Sequence, residues 1–342
     1  MPTVDDQPLG VLQIGAGAAG MAHLRVAGNH PRCRLIAAAD VSPPARAAAT
    51  AEFAVPAYAD YRELLDRHAA EAQIAIVVVP HHIYPDVIDA LAGTDLHILK
   101  EKPFARNLDD ARRMAERLRD RGRVYMTSGQ RLLDPAYRRA LDLVRKGELG
   151  DIYLAEGRIL YAWNPDGQNW GWRGDRDLSG GTAILDAGWH MLGALTACKG
   201  LPERVFATIG SMRACPGDWT SDDKGAMTLE YADGSIATVV SSHVALPDRF
   251  ELLLHGTSGN LEVNLSRLVR YDRTAAAGAA EEWTRSNLLA EQLDHFLACV
   301  DGRETPESGL NESLDLQRIV EAAYRSAATR QPVDLGDTEV SV

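Results

Sequence analysis

At 342 residues, with 46% hydrophobic and 25% charged residues, the chain has the balance of a globular protein large enough for two domains. Its net charge of −12, from 36 basic and 48 acidic residues, offers no basic footprint for a nucleic-acid duplex or an anionic membrane surface, which predicts no partner of either kind. The longest strongly apolar run, Ile74 to Val79, is too short to cross a bilayer, and the acidic, proline-bearing N-terminus predicts no signal peptide.

The first third alternates strand and helix patterns. "GVLQIGA" reads as a strand, Ala18 to Asn29 as a helix, and "RLIAAAD" (Arg34 to Asp40) as a second strand. A helix from Pro44 to Glu52 leads to a connector and a further helix in "VPAYADYRELLDRH". The strand "AQIAIVVVP", the helix "PDVIDALAG", the strand "LHILKEKP", the helix "DDARRMAERLRDRG" and the short run "RVYMTSGQR" follow. Apolar runs separated by helical patterns of this length predict βαβ units and a doubly wound parallel sheet. The mixed charges from Asp109 to Arg123 read as a solvated helix face.

After Arg131 the character changes. A helix from Pro135 to Gly147 precedes a series of strands: "DIYLAEGRILY", "RVFATIGSMR", "AMTLEYADGSIATVVSSHV", "FELLLHGTSGNLEVNL" and "LVRYD". Asp233-Gly234 and Ser258-Gly259 punctuate hairpins, so the expected sheet is large, open and mostly antiparallel. "TAAAGAA" (Thr274 to Ala280) reads as a loop, and helices return from Leu288 to Arg330. The predicted organisation is an α/β, nucleotide-type domain over 1–130 and an α+β domain over 131–342. Four scattered cysteines (Cys33, Cys198, Cys215, Cys299) with neither C-x-x-C nor zinc spacing predict reduced thiols in a cytoplasmic protein.

"GAGAAG" directly follows the first strand and opens a helix. Gly15 permits the tight turn, Gly17 the close approach of backbone to a pyrophosphate, and Gly20 the packing of helix on strand, with Ala16, Ala18 and Ala19 between them. Asp40, twenty residues past Gly20 at the end of the second strand, is placed to accept from a ribose diol. Its carboxylate would repel a 2′-phosphate, so NAD is favoured over NADP, with Arg46 the nearest base for the phosphorylated cofactor. His81-His82 raises a metal, but neighbours on an extended segment point to opposite sides and no third ligand has suitable spacing, which predicts none.

The chain resembles the glucose–fructose oxidoreductase/inositol dehydrogenase/rhizopine-catabolism (Gfo/Idh/MocA) family. "GAGAAG", "EKPFA" (Glu101 to Ala105) and "GGTAILDAGWHML" (Gly180 to Leu192) carry the likeness. "VVVPHHIYPDVIDAL", "GELGDI", Trp172-Arg173, "GTSGNLEV" and "PVDL" extend it over nearly the whole chain in the expected order. The resemblance implies a Rossmann first domain and a substrate-binding second one, a tightly held nicotinamide cofactor, hydride transfer at a carbinol or carbonyl of a sugar or cyclitol, and assembly of a homodimer or homotetramer through the outer face of the C-terminal sheet. Two departures stand out: Tyr84 replaces a customary His, and "MLGAL" lacks an aspartate common after the D-x-x-x-H histidine.

Within that frame Asp186 and His190, four apart on an expected helix, share one face. His190 is the candidate base, Lys102 the group that stabilises the developing alkoxide, and Asp186 the residue that orients His190 or binds a neighbouring hydroxyl. Lys102 and His190 titrate as a coupled set, so the roles of base and stabiliser stay open between them. The resemblance puts Pro80 and His81 on the nicotinamide side, has Glu101 face the nicotinamide ribose or fix the lysine, and gives Gln130 to the cofactor and Arg131 to the substrate. Lys100 is expected to be solvated. The segment Trp163 to Asp175, with Trp172 and Arg173, suits sugar stacking or sheet packing equally, and His243 is a further substrate-pocket candidate. An NADP-linked ketosugar reductase and a non-catalytic dinucleotide-binding sensor are the alternative functions on this fold.

Overall fold

The computed structural model describes residues 7–119, 121–162, 170–211, 219–272 and 278–338. The first seven residues of the tryptophan-rich segment, Cys215 and the start of "TAAAGAA" lie outside them.

The N-terminal half places β1 (Leu9–Ile14), β2 (Cys33–Ala39), β3 (Ala57–Tyr58), β4 (Ile74–Val77), β5 (His97–Lys100) and β6 (Tyr125–Thr127) in one sheet of order β3-β2-β1-β4-β5-β6. Every pairing is parallel. The chain crosses over through α1 (Ala18–Asn29), α2 (Pro43–Phe53), α3 (Tyr61–His68), α4 (Tyr84–Ala92) and α5 (Leu108–Leu118). All four residues of β4 are buried, because a parallel strand between two helical layers has no solvent face. Strand order reverses between β1 and β4, which opens a crevice at the carboxyl ends of those strands.

Helix starts are chemically marked. Asp60 accepts from the Arg62 amide, Asn107 from the Asp110 amide and Asp134 from the Ala136 amide, each satisfying a donor that the first turn leaves free. Pro135 at the first position of α6 (Pro135–Arg145) sits where its missing N–H costs nothing.

The second half forms a nine-stranded sheet from β7 (Ile152–Ala162), β8 (Arg204–Gly210), β9 (Lys224–Glu230), β10 (Ile236–Ser242), β11 (Val244–Gly256), β12 (Gly259–Asn264), β13 (Arg267–Asp272), β14 (Ala279–Glu282) and β15 (Val333–Asp334). Its order is β14-β13-β12-β11-β7-β10-β9-β8-β15. The expected antiparallel sheet holds with one exception: β10 lies parallel to β7. Part of the stretch read as a loop is the edge strand β14, which pairs with β13.

The remaining helices are α7 (Arg176–Ser179), α8 (Gly188–Lys199), α9 (Leu288–Val300) and α10 (Leu310–Thr329). Helices α8 and α10 cover one face of the large sheet, α8 on β7 and α10 on β8. Leu293, Phe296 and Leu297 of α9 return to the first domain and share a core with Val11, Ile74 and Leu99. Each such side chain contributes roughly 1.5–3 kcal/mol on burial, so α9 ties the end of the chain to its beginning. Among the described residues no helix is long and apolar enough to cross a membrane.

Candidate active site

Gly15, at the end of β1, has φ +92°, and a Cβ there would lie 1.9 Å from the Val78 carbonyl oxygen. A Cβ on Gly20 would lie 2.1 Å from the Gly15 oxygen, whereas one on Gly17 would meet nothing within 4 Å. The first and third glycines are therefore required by the protein's own packing. The second faces open space above the N-terminus of α1, where no side chain caps the amides. An anion is the natural acceptor there. The Asp40 carboxylate accepts from the Ala16 amide at 2.7 Å and the Ser42 amide at 2.8 Å, which leaves lone pairs on both oxygens for a ribose diol. Arg46 is turned onto the Asp40 and Val41 carbonyls at 2.8 and 3.0 Å.

Gly15, Gly17, Gly20 and Asp40 line a cleft of about 680 Å³ together with Ala18, Ala19, Pro80, His81, Glu101, Lys102, Trp172 and Arg173; Ala16 and Arg46 do not line it. Gln130 does not line it; its side-chain oxygen lies 3.0 Å from the Ser128 hydroxyl instead. The loop cradle, the free helix terminus and the acid on β2 fit a nicotinamide dinucleotide.

Strand β5 delivers the lysines. Lys100 is 0% exposed, which corrects the expectation that it is solvated. Its ammonium donates to the Glu101 and Pro103 carbonyls, both at 2.6 Å, and lies 3.4 Å from the centre of the Tyr84 ring. The Tyr84 hydroxyl donates to the intervening Lys102 carbonyl at 3.3 Å. Three successive carbonyls around the cis Lys102–Pro103 bond are thus held by two buried side chains. Burial pushes the Lys100 amine well below its usual value. Glu101 accepts from His23 at 3.0 Å, from Ser128 at 2.9 Å and from the Lys102 amide at 3.1 Å. Burial opposes its charge, but the hydrogen bond and charge of His23, with Lys102 beyond, hold its carboxyl down at about 2.

Lys102 points across to the second domain, where its ammonium bonds the Asp186 carboxylate and the Asp186 carbonyl, the latter at 3.1 Å. Arg173, stacked on Trp172 with 4.4 Å to the ring centre, reaches the other Asp186 oxygen at 3.4 Å. Burial raises the Asp186 carboxyl, but Lys102 and then Arg173 outweigh it and keep the group ionised, well below the usual range.

The Asp186 carboxylate is taken up by the two cations, and His190 Nδ1 receives no hydrogen bond from it. The segment Ala183–Ala187 is a π-helical turn: the Ala187 amide donates to Thr182 at 2.9 Å, five residues back. Five-residue bonding widens the turn that carries Asp186. The Asp222 carboxylate anchors this turn, accepting from the Thr182 and Ile184 amides at 3.0 Å each and from the Tyr324 hydroxyl at 3.1 Å. Nothing in the local sequence "SDDKG" singles Asp222 out, since its partners lie 40 and 102 residues away.

His190 Nδ1 is buried with no hydrogen-bond partner. Burial first, and then the positive charges of Lys102 and Arg131, hold the ring well below its ordinary value. His190 and Arg131 line a second cavity of about 620 Å³ with Tyr161, Phe250 and Arg285. His243, between β10 and β11, is 2% exposed and lies 3.3 Å from the Tyr161 hydroxyl; burial lowers it to about 4.

His81 and His82 sit on a short 3₁₀ turn (His81–Ile83) and not on an extended segment. His81 Nδ1 donates to the Ser179 carbonyl at 2.6 Å, and the ring packs edge-on to Trp172 at 4.5 Å; burial lowers it to about 3. Among the described residues no cluster of three or more His, Cys, Asp or Glu is arranged to hold a metal.

A parallel sheet with a glycine-loop cleft, whose Lys102 is paired with Asp186 of a second domain, defines a dinucleotide-binding oxidoreductase. Residues 9–128 match the model of the oxidoreductase family with an NAD-binding Rossmann fold, and residues 137–262 match the GFO/IDH/MocA C-terminal domain. The chain belongs to the GFO/IDH/MocA family and is an NAD(P)-dependent oxidoreductase.

Among its relatives, D-xylose 1-dehydrogenase (NADP(+)) 2 of Haloferax volcanii is 30% identical over 85% of this chain and 89% of that protein. Inositol 2-dehydrogenase of Rhizobium meliloti is 24% identical over 94% and 98%. The fold is shared with levoglucosan dehydrogenase in complex with NADH and levoglucosan, at a TM-score of 0.87 and 20% identity, covering 96% of this chain and 100% of that one.

Proposed function

We propose that the protein oxidises a carbinol of a sugar or cyclitol, with Lys102 and His190 flanking the reacting hydroxyl. The observation that carries this reading is the Lys102–Asp186 contact across the domain boundary, which sets an ammonium between the dinucleotide cleft and the cavity holding His190. The relatives include dehydrogenases named for xylose, a glucoside and inositol, which supports a polyol as substrate.

The nicotinamide, when bound, supplies the hydride acceptor. Lys102 stabilises the negative charge that develops on the substrate oxygen, which lowers the cost of removing its proton. His190 takes that proton at a ring nitrogen; its depressed basicity keeps it neutral and ready at pH 7. Asp186 offsets the Lys102 charge in the resting state and, with Arg173, aims the ammonium. Asp40, with Arg46 occupied by main chain, supports NAD over NADP. Free thiols at Cys33, Cys198 and Cys299 suit a reducing cytoplasm, and the outer face of the large sheet suits a second copy of the chain.

The test is reduction of NAD⁺ and NADP⁺ over a panel of polyols, for the wild type and Lys102→Met. NAD⁺ is expected to be the better acceptor, and the variant to lose about 10²–10³ in kcat, the size of one lost oxyanion donor. Cofactor binding by the variant, followed by fluorescence, should persist. Wild-type turnover in Lys102→Met would remove the lysine from the chemistry.

A further inference from the structure

The cavity beside His190 carries more positive charge than a neutral sugar needs. Arg131, on the 3₁₀ turn Gln130–Leu133, is largely enclosed, with its guanidinium 4.2 Å from the Phe250 ring centre. Its Nε is buried without a hydrogen-bond partner, and no carboxylate among the described residues lies within ion-pair distance of it. Arg285 and Arg249 line the same cavity, and Arg285 adds like charge. Asp134 acts on Arg131 only through space, its carboxylate accepting from the Ala136 amide. Glu251 accepts from Arg249 at 3.0 Å and lies 3.8 Å from Arg158, and Asp248 is exposed at the mouth.

A guanidinium withdrawn from water without a counter-ion is costly unless a ligand supplies one. Its planar fork matches a carboxylate or a phosphate through two parallel hydrogen bonds. Stacking on Phe250 presents that fork in a fixed plane. Tyr161 and Asn264 in the same lining offer hydrogen bonds suited to hydroxyls.

We propose that this cavity takes an anionic polyol, a sugar acid or a phosphorylated sugar, whose charged group pairs with Arg131 while a hydroxyl faces His190. Arg285 at the mouth adds to the attraction. This inference rests on the dehydrogenase reading above for the identity of the reacting group, but its binding half stands separately.

The experiment is calorimetric titration of the NAD-loaded protein with a hexuronate, a hexose phosphate and the parent neutral hexose. One anion is expected to bind about tenfold or more tighter than the hexose, as a charge-assisted pair provides, and which anion wins distinguishes carboxylate from phosphate. In Arg131→Met that advantage should shrink to within about twofold, while Arg131→Lys, which keeps charge but not the fork, should fall between. Arg285→Ser, at an exposed position, should reduce the advantage in part and guards against a fold defect in the buried variant. Equal binding of hexose and both anions, or an anion preference untouched by Arg131→Met and Arg285→Ser alike, would overturn the proposal. Tight, Arg131-dependent anion binding with no cofactor reduction would support it and count instead against the dehydrogenase reading.

Discussion

Three side chains set the chemistry, and their environments divide the labour. Asp186 stays charged because Lys102 and Arg173 both touch it, so it is a poor proton acceptor. His190 stays neutral because burial and two neighbouring cations disfavour its imidazolium. In the proposed reading, pushing the two groups apart in this way favours His190 as the base. The sign of the pH dependence follows. A base must be deprotonated to act, and a folded value below 6.5 keeps it so into more acidic solution. The acid limb of kcat/KM should therefore fall below pH 6.5, and His190→Ala should abolish that limb along with most of the turnover. A limb retained in His190→Ala would show that another group, Lys102 foremost, is the acceptor. Lys100 shows what residue type alone conceals: three charges in "KEKP" look alike as letters, yet one is fully enclosed, one is bonded into a buried network and one reaches the site.

At the scale of elements, the site depends on an irregularity. The segment that carries Asp186 is a π-helical turn and not a regular helix, and Asp222, just ahead of β9, accepts from two amides at its start. Asp222→Ala would leave two buried amides without acceptors, a loss of about 2–6 kcal/mol at about 1–3 kcal/mol for each unmet group. Chemical denaturation should show a lowered midpoint with little change in slope, and Asp222→Asn should recover part of it by accepting one bond. An unchanged midpoint in Asp222→Ala would mean that the turn holds itself. Most strands and helices of the first domain were legible from hydrophobic period and turn residues, because each is a local pattern repeated over several residues; the two-residue strand β3, read as connector, and the 3₁₀ turn His81–Ile83, read as extended, were not. The π-helical turn was not, since i→i+5 bonding is imposed here by a carboxylate 40 residues distant. The edge strand β14 was missed for a similar reason: "AAEE" has no strand propensity and exists through its pairing with β13.

At the scale of the whole molecule, the large sheet carries packed helices that include, among the described residues, α8 on β7 and α10 on β8. Its inner face buries Val205, Leu229, Val239 and Leu252, while Phe206, Ile236 and Val240 on the other are between 40% and 43% exposed. Register sets them among Arg204, Glu230, Glu156 and Arg158 on adjoining strands, a mixed apolar and charged surface of the kind that associates. If a second copy covers it, Phe206→Asp with Val240→Asp should convert the assembly to single chains by light scattering without loss of secondary structure. A wild-type protein already at single-chain mass would dismiss the idea.

The sequence by itself determined the order of the two sheets, the cofactor loop and Asp40 at the end of β2, and it singled out Lys102, Asp186 and His190 as candidates, because these depend on periodicity, on glycine stereochemistry and on motifs contiguous in the chain. Tertiary structure alone decided which of them touch. It gave Asp186 to Lys102 and Arg173 and enclosed Lys100 beneath Tyr84. It also left Arg131 with no carboxylate within ion-pair distance among the described residues. Contacts between residues tens of positions apart follow from how two domains pack, and no local pattern encodes that distance.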